Sequence, residues 1–226
     1  MGTIQGENYA VMIGDVSGSR EFPDQARLFA MLREHFAWVN RHVPAVQPLQ
    51  FTIGDEFQGA YRDIASAFKA TILLKLRFRE QPLGEPEHSR EVRIGLAYGQ
   101  ISVYEHDEAP YGQSGDAWWS AREAIEQAGQ PKSQSRVPYA ARTRFHAADP
   151  LLTATANAFL LALDQVMYAM DRKDIAITLG ILTGATQGAI AGKLGISQPV
   201  VSRRSKTNGA YIIERILGEL EQVNAT

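Results

Sequence analysis

Two aspartates carry the first chemical signal in this 226-residue chain. Asp15 closes the apolar run Tyr9-Ala10-Val11-Met12-Ile13-Gly14, and Asp55 follows Phe51-Thr52-Ile53-Gly54. Both runs are rich in branched and aromatic residues up to a Gly-Asp step, the pattern of core strands that deliver acids to one edge of a sheet. If the strands are neighbours, the acids converge. Two convergent carboxylates repel each other and are costly to desolvate, so a fold that keeps both ionised usually places a divalent cation between them. Metal and phosphate chemistry is therefore the first hypothesis. The plainer alternative is that each Asp only caps a turn after a strand.

A second signal lies near the C-terminus. From Thr186 to Gly209 the charged residues are Lys193, Arg203, Arg204 and Lys206, with no acid. The order of residues there has the grammar of a helix-turn-helix. Ile190, Ala191 and Leu194 face inward on a short helix, Gly195 supplies a left-handed turn, Ile196 plugs the core, Ser197 caps the next helix and Pro199 fits its first turn. Val200 and Val201 anchor that second helix, leaving Gln198, Ser202, Arg203 and Lys206 to face outward. Cations suit phosphates, and short polar groups near a helix start suit base edges. With Gln187, Ser197 and Arg204 these residues form the expected contact set for double-stranded DNA. The alternative is a helical hairpin with a solvated basic face.

The elements that must position these residues follow from periodicity and punctuation. After the first strand, Phe22-Pro23-Asp24 opens a helix to about His42, with Leu28, Phe29, Leu32, Phe36 and Val39 at helical spacing. Leu49 to Tyr61 reads as a hairpin whose turn, Gly54-Asp55, presents the acid; Glu56, by strand alternation, points to the other face. A second helix spans about Asp63 to Arg79. The Pro-, Gly- and charge-rich stretch from Gln81 to Arg90 is a surface loop. Val92 to Gly99 and Ile101 to Tyr104 form another hairpin, Ala117 to Gln127 a third helix, and Val137 to Phe145 a last strand. Helices alternating with antiparallel hairpins predict an α+β, ferredoxin-like arrangement with a helix layer on one sheet. Asp149-Pro150 divides the chain into 1–149 and a helical part, 150–226, which opens with an apolar helix from Leu151 to Met170 and holds the helix-turn-helix at about 174–209.

Composition narrows the classes. The length fits one large domain or two small ones with a substantial core. With no cysteine there is no disulfide, no Cys-ligated zinc and no thiol nucleophile, which suits a reducing cytoplasm. Met1 to Glu7 has no basic and apolar leader pattern, and no apolar run is expected to reach the roughly 20 residues that cross a bilayer. The expected location is cytoplasmic, with no membrane partner. The five histidines show no metal-ligand spacing, and His35 and His42 read as structural.

On these residues, the first part of the chain resembles the class III nucleotidyl cyclase and GGDEF catalytic superfamily. The whole chain is similar to the SatD family, which joins such a domain to a C-terminal helix-turn-helix. The resemblance implies a metal set of Asp15, Val16 and Asp55 holding Mg²⁺ or Mn²⁺, with Asp15 and Asp55 as the catalytic acids. It also implies a nucleotide set of Ser17, Gly18, Ser19, Arg20, Phe51, Gly54, Asp116 and Arg122. Val92-Arg93-Ile94-Gly95 resembles the cyclase strand that carries Arg-Ile-Gly. Three positions depart from the cyclase pattern: Phe51 stands where purine-selecting enzymes carry Lys, Trp119 where they carry Asn and Glu123 where they carry Arg, with Arg122 displaced by one residue. A one-residue shift turns a helical side chain by roughly 100°. Trp118, Trp119 and Tyr111 are either packing residues or a stacking surface for a base.

The leading expectation is a DNA-binding transcriptional regulator whose cyclase-like domain binds a nucleotide with its metal and biases the helix-turn-helix through the Leu151–Met170 helix. The alternative is an active Mg²⁺- or Mn²⁺-dependent nucleotidyl cyclase or nucleotidyltransferase. A third reading is a protein-interaction scaffold. A homodimer is expected on either of the first two.

Overall fold

The computed structural model describes residues 7–80, 92–101, 114–128 and 142–223. The expected loop from Gln81 to Arg90, the strand residues after Ile101, Tyr111 and the first part of the Val137–Phe145 strand lie outside the described residues.

Five strands form one sheet: β1 (Asn8–Val16), β2 (Gln47–Phe51), β3 (Phe57–Tyr61), β4 (Val92–Gln100) and β5 (Thr143–Ala147), in the order β2-β3-β1-β4-β5. The β2–β3, β1–β3 and β1–β4 pairs are antiparallel, and β5 runs parallel to β4. Between β4 and β5 the chain passes through α3 (Asp116–Ala128), as a parallel pair requires a crossover. The mixed α+β architecture agrees with the sequence reading, but the single helix layer does not. Helices α1 (Gln25–His42) and α2 (Ile64–Glu80) cover one face, packed on Ala10, Met12, Ile94 and Leu96. Helix α3 covers the other, with Ala117, Trp118, Ala121 and Ile125 against Tyr9, Val11, Ile13 and Ala97. The central strand β1 is apolar on both sides because both sides are buried. Gly95 makes the second layer possible: a Cβ there would lie 2.3 Å from the Ala121 carbonyl and 2.4 Å from the Ile125 nitrogen.

Both edges of the sheet are closed by an asparagine from a helix. On β2, Asn40 of α1 accepts from the Leu49 N–H at 2.8 Å and donates to the Leu49 carbonyl at 3.0 Å. On β5, Asn157 accepts from the Phe145 N–H at 3.0 Å and donates to the Phe145 carbonyl at 2.8 Å. Each amide imitates a neighbouring strand, satisfying backbone groups that would otherwise template pairing with another chain.

Asn157 belongs to α4 (Pro150–Ala169), the first of five helices that complete the chain: α5 (Arg172–Leu182), α6 (Gln187–Leu194), α7 (Gln198–Thr207) and α8 (Ala210–Val223). Asp149 caps α4 by accepting from the Leu151 N–H at 2.8 Å, with Pro150 in the first turn. At 20 residues and a mean hydropathy of 1.2, α4 is long and apolar enough to cross a membrane by length and composition, contrary to the expectation that no run reaches that length. Here its single charged residue, Asp164, is buried in an ion pair with Lys75 of α2, and Arg79 of α2 donates to the Met167, Tyr168 and Met170 carbonyls at its C-terminal end. Residue 149 does not divide the core. Leu160, Leu163 and Met167 of α4, Ile175 and Leu179 of α5 and Ile213 and Leu217 of α8 join the same apolar cluster as α2 and the sheet. A separate small cluster, Ile177, Ile190, Ala191, Val201 and Ala210, holds α5 to α8 to one another.

Candidate functional site

Strand β1 delivers Asp15 to one edge of the sheet, and the β2–β3 turn, with Gly54 at φ 63°, brings Asp55 to the same place. The Asp55 Oδ2 accepts from the backbone N–H of Val16 at 3.3 Å, so the two acids are neighbours, as the paired Gly-Asp steps predict. Immediately after β1, Ser17 and an exposed Gly18 at φ 72° turn the chain into a short 3-10 segment, Ser19–Glu21. Ser19 is buried and its carbonyl accepts from Gln25, while Arg20 is exposed.

The acids are not free. Asp15 sits opposite Arg93 in the β1–β4 register, and the guanidinium grips both its oxygens, Nε to Oδ1 at 2.7 Å and Nη2 to Oδ2 at 2.6 Å. A fork of this kind is among the strongest polar contacts a protein makes. Glu56 is the third acid. It lies in the turn and not in β3, so strand alternation does not orient it, and it forms a two-pronged pair with Arg122 of α3. The Thr52 hydroxyl also donates to it at 3.1 Å. The bond from Arg122 holds the Glu56 carboxyl below the usual carboxylate range, and the same bond holds the Arg122 guanidinium above its ordinary value.

The edge thus gathers Asp15, Asp55 and Glu56 with Arg93 and Arg122 from four elements. Neither Arg93 nor Glu56 is among the site residues expected from sequence. The Asp15–Arg93 pairing depends on strand register across 78 positions, which local pattern does not encode. Arg122 is present but committed to the hairpin turn. Asp116 is exposed in the first turn of α3. Phe51 lies elsewhere: its ring packs edge-on against Phe29 and Phe36 of α1, centroids 5.2 and 5.0 Å away, under the Arg33 guanidinium. It is a packing residue because the edge strand β2 must bury one face on α1. Trp118 is buried against the sheet, whereas Trp119 is 63% exposed.

Asp15 and Asp55 offer hard oxygen donors of the kind Mg²⁺ and Mn²⁺ prefer, so the donor chemistry fits. Arg93 is the cation Asp15 holds in this structure. Among the described residues, no group of three or more His, Asp or Glu side chains is arranged to hold a metal ion.

At the other end of the molecule, α6 and α7 meet at Gly195, whose φ of 64° is the left-handed conformation that a side chain would disfavour. Ile190, Ala191 and Val201 are buried, and Ile196 is partly buried against them. Ser197 stands at the N-cap of α7 but makes no side-chain cap bond; its carbonyl accepts from Val200 and Val201 instead. Gln198, Arg203 and Lys206 are exposed and Ser202 is half-buried. Two members of the expected contact set are turned to internal work. Arg204 is bound to Asp171 and, through Nε at 2.8 Å, to Asp174 of the α5 capping box, and the Gln187 side chain bonds the Tyr211 hydroxyl. These acids lie some thirty positions before Arg204, which is why the acid-free window concealed them.

Solved structures similar to this chain include a bacterial light-regulated adenylyl cyclase (16% identity, TM-score 0.44, covering 62% of this chain and 43% of that one). The guanylyl cyclase Cya2 (16%, TM-score 0.42, 56% and 72%) and the adenylyl cyclase CyaB from P. aeruginosa (14%, TM-score 0.40, 53% and 71%) are also similar. The chain spans less than half the length of the first of these. No curated protein matches it. The sequence profile of the SatD family spans residues 9–216, and the chain belongs to the SatD family.

Proposed function

We propose that the sheet edge at Asp15 and Asp55 binds a nucleoside triphosphate together with Mg²⁺ or Mn²⁺, a site of the nucleotidyl cyclase kind. The observation that carries the reading is the convergence of the two acids through the Asp55–Val16 contact, beside the small-residue turn Ser17-Gly18-Ser19. Asp15, Asp55 and Val16 would hold the metal, which supplies charge neutralisation for the phosphates and activation of an attacking hydroxyl. The protein's own groups have separate tasks. Ser17, Gly18 and Ser19 are small enough for backbone N–H groups to approach phosphate oxygens. Arg20 is an exposed fork for outer phosphates. Arg93, paired with Asp15, would be a second cation facing the same anion were a metal held beside it. Arg122 and Glu56 lock the hairpin turn to α3 and so position Asp55. The exposed Trp119 and Ile53, 63% and 74% accessible, supply apolar surface for the base or for the second subunit of a homodimer.

The test is thermal unfolding with Mn²⁺ and each of the four nucleoside triphosphates, followed by chromatography of the same mixtures. A rise in Tm that is lost in Asp15→Ala and Asp55→Ala supports the site, and pyrophosphate release makes it an enzyme. No rise with any nucleotide removes the reading.

A second reading rests on a different observation: α7 presents Gln198, Arg203 and Lys206 to solvent with no acid among them. This suits duplex DNA, with α6 and α7 as a helix-turn-helix and α4 as its link to the nucleotide site. Electrophoretic mobility shift across a salt series decides it, since a phosphate-binding helix loses affinity steeply as salt rises.

A further inference from the structure

A cleft of about 230 Å³ lies between α1 and α2 on one side and α5 and α6 on the other, away from the sheet edge. Trp38 and His42 of α1, Arg77 of α2, Leu179 and Gly180 of α5 and Lys193 of α6 line it. Its chemistry is uneven. The α5 wall is apolar, with Leu179 buried in the main core, while Arg77 and Lys193 bring two positive charges from opposite sides and Glu80, held by Arg77, one negative. One Arg77 nitrogen pairs with Glu80, and the guanidinium lies 5.4 Å from the centroid of the Trp38 ring. Its Nε–H is buried with no hydrogen-bond partner. Buried donors are rarely left unpaired, so such a group asks for an acceptor. Lys193 is exposed and has no ion-pair partner among the described residues. His42 donates through Nδ1 to the Trp38 carbonyl at 2.8 Å.

We propose that this cleft binds a small organic carboxylate with an apolar body, its acid group on Lys193 and the Arg77 Nε–H and its body against Leu179 and Gly180. One uncommitted ammonium and one N–H match a monoanion better than a phosphate, which prefers several donors. The volume admits a body of about ten heavy atoms. Because the walls come from two pairs of helices, the ligand ties the sheet-covering helices to the pair that ends in the basic turn, and its binding therefore stabilises that junction. The inference does not depend on the nucleotide site.

The experiment uses the full chain, labelled with ¹⁵N, titrated with benzoate and hexanoate and, as neutral counterparts, benzamide and hexanamide. The expected result is saturable shifts at the Trp38 indole and at α5 and α6 amides, with a Kd of about 1 mM or tighter for an acid. The amides bind about tenfold more weakly, the loss of one charged contact. Lys193→Glu reverses the charge and Ala189→Phe, at an exposed cleft position, fills the space; each weakens the acids by about tenfold or more, and the unshifted spectrum elsewhere reports that the variants fold. Amides that bind as well as the acids, shifts that survive both substitutions, or no saturation with either acid overturn the proposal.

Discussion

The sheet edge and the C-terminal helical turn use arginine in opposite ways. At the edge, Arg93 and Arg122 each face an acid, so three carboxylates and two guanidinium groups coexist in a small volume. On α7, one arginine, Arg204, is drawn inward to Asp171 and Asp174, and its neighbours Arg203 and Lys206 remain in solvent. The first arrangement offers both signs of charge to a ligand that brings a cation and an anion together. The second exposes an uncompensated positive surface, which suits a polyanion. The same residue type grips a strand-end acid in one place, ties two helices together in another and is solvent-exposed in a third.

The largest expected effect comes from breaking the inward tie. Asp174 is buried and accepts from both Arg204 and Asn208 while its side chain accepts from the Asp171 N–H. Asp174→Leu removes the buried one of Arg204's two acid partners, leaving only the exposed Asp171, and takes away the Asn208 and α5-cap acceptors as well; urea unfolding is expected to show a loss of about 3 kcal/mol. If stability is unchanged, Arg204 is a surface residue and the contrast with Arg203 fails.

Acid is expected to act on the core beneath the sheet. His35 is fully buried between α1 and α2 with neither ring nitrogen hydrogen-bonded, and burial, with the nearby Arg77 charge, lowers its pKa to about 4. The unfolded chain takes up this proton near 6.5, so stability is complete above that pH and is lost as the pH falls towards about 4, by up to about 3 kcal/mol. His35→Leu should flatten this part of the stability–pH curve, measured by denaturant unfolding between those limits. An equal slope in the variant assigns the acid sensitivity to other groups.

A smaller and more pointed effect is expected at the edge. Arg93→Met leaves Asp15 without its fork, lowering stability by about 1–2 kcal/mol, yet it removes the competitor for a cation. Mn²⁺ should then bind about tenfold more tightly, read by the loss of the free-ion paramagnetic signal. Weaker Mn²⁺ binding means that Arg93 organises the acid and does not compete with metal. Last, Arg203→Ala with Lys206→Ala should leave folding within about 0.5 kcal/mol of the parent and reduce the salt slope of duplex binding by about two. An unchanged slope removes α7 from DNA contact.

Much of this was legible in the chain because it is local. The Gly-Asp steps placed Asp15 at the end of β1 and Asp55 in the turn that closes the β2–β3 hairpin, although Thr52 and an exposed Ile53 belong to that turn and not to a core strand; Asp149-Pro150 started α4 and Gly195 ended α6. What was not legible depends on pairings between distant segments. Arg93 meets Asp15 only through the β1–β4 register. Helix α3 takes the second face of the sheet because Gly95 leaves room for its backbone. Phe51 is drawn onto α1 by Phe29 and Phe36, and the aliphatic residues of α4, α5 and α8 merge with the α2 core and do not close on themselves. Periodicity names the buried face of a helix; it does not say which helix will cover it.

The central claim is that Asp15 and Asp55 form one cation site that serves a triphosphate. Counting bound Mn²⁺ by the paramagnetic signal of the free ion, with and without each nucleoside triphosphate, in the parent, Asp15→Ala and Asp55→Ala proteins tests it most directly. The account predicts that one triphosphate increases Mn²⁺ uptake by the parent and that either substitution abolishes the increase. Equal uptake in all three proteins, with or without nucleotide, contradicts it.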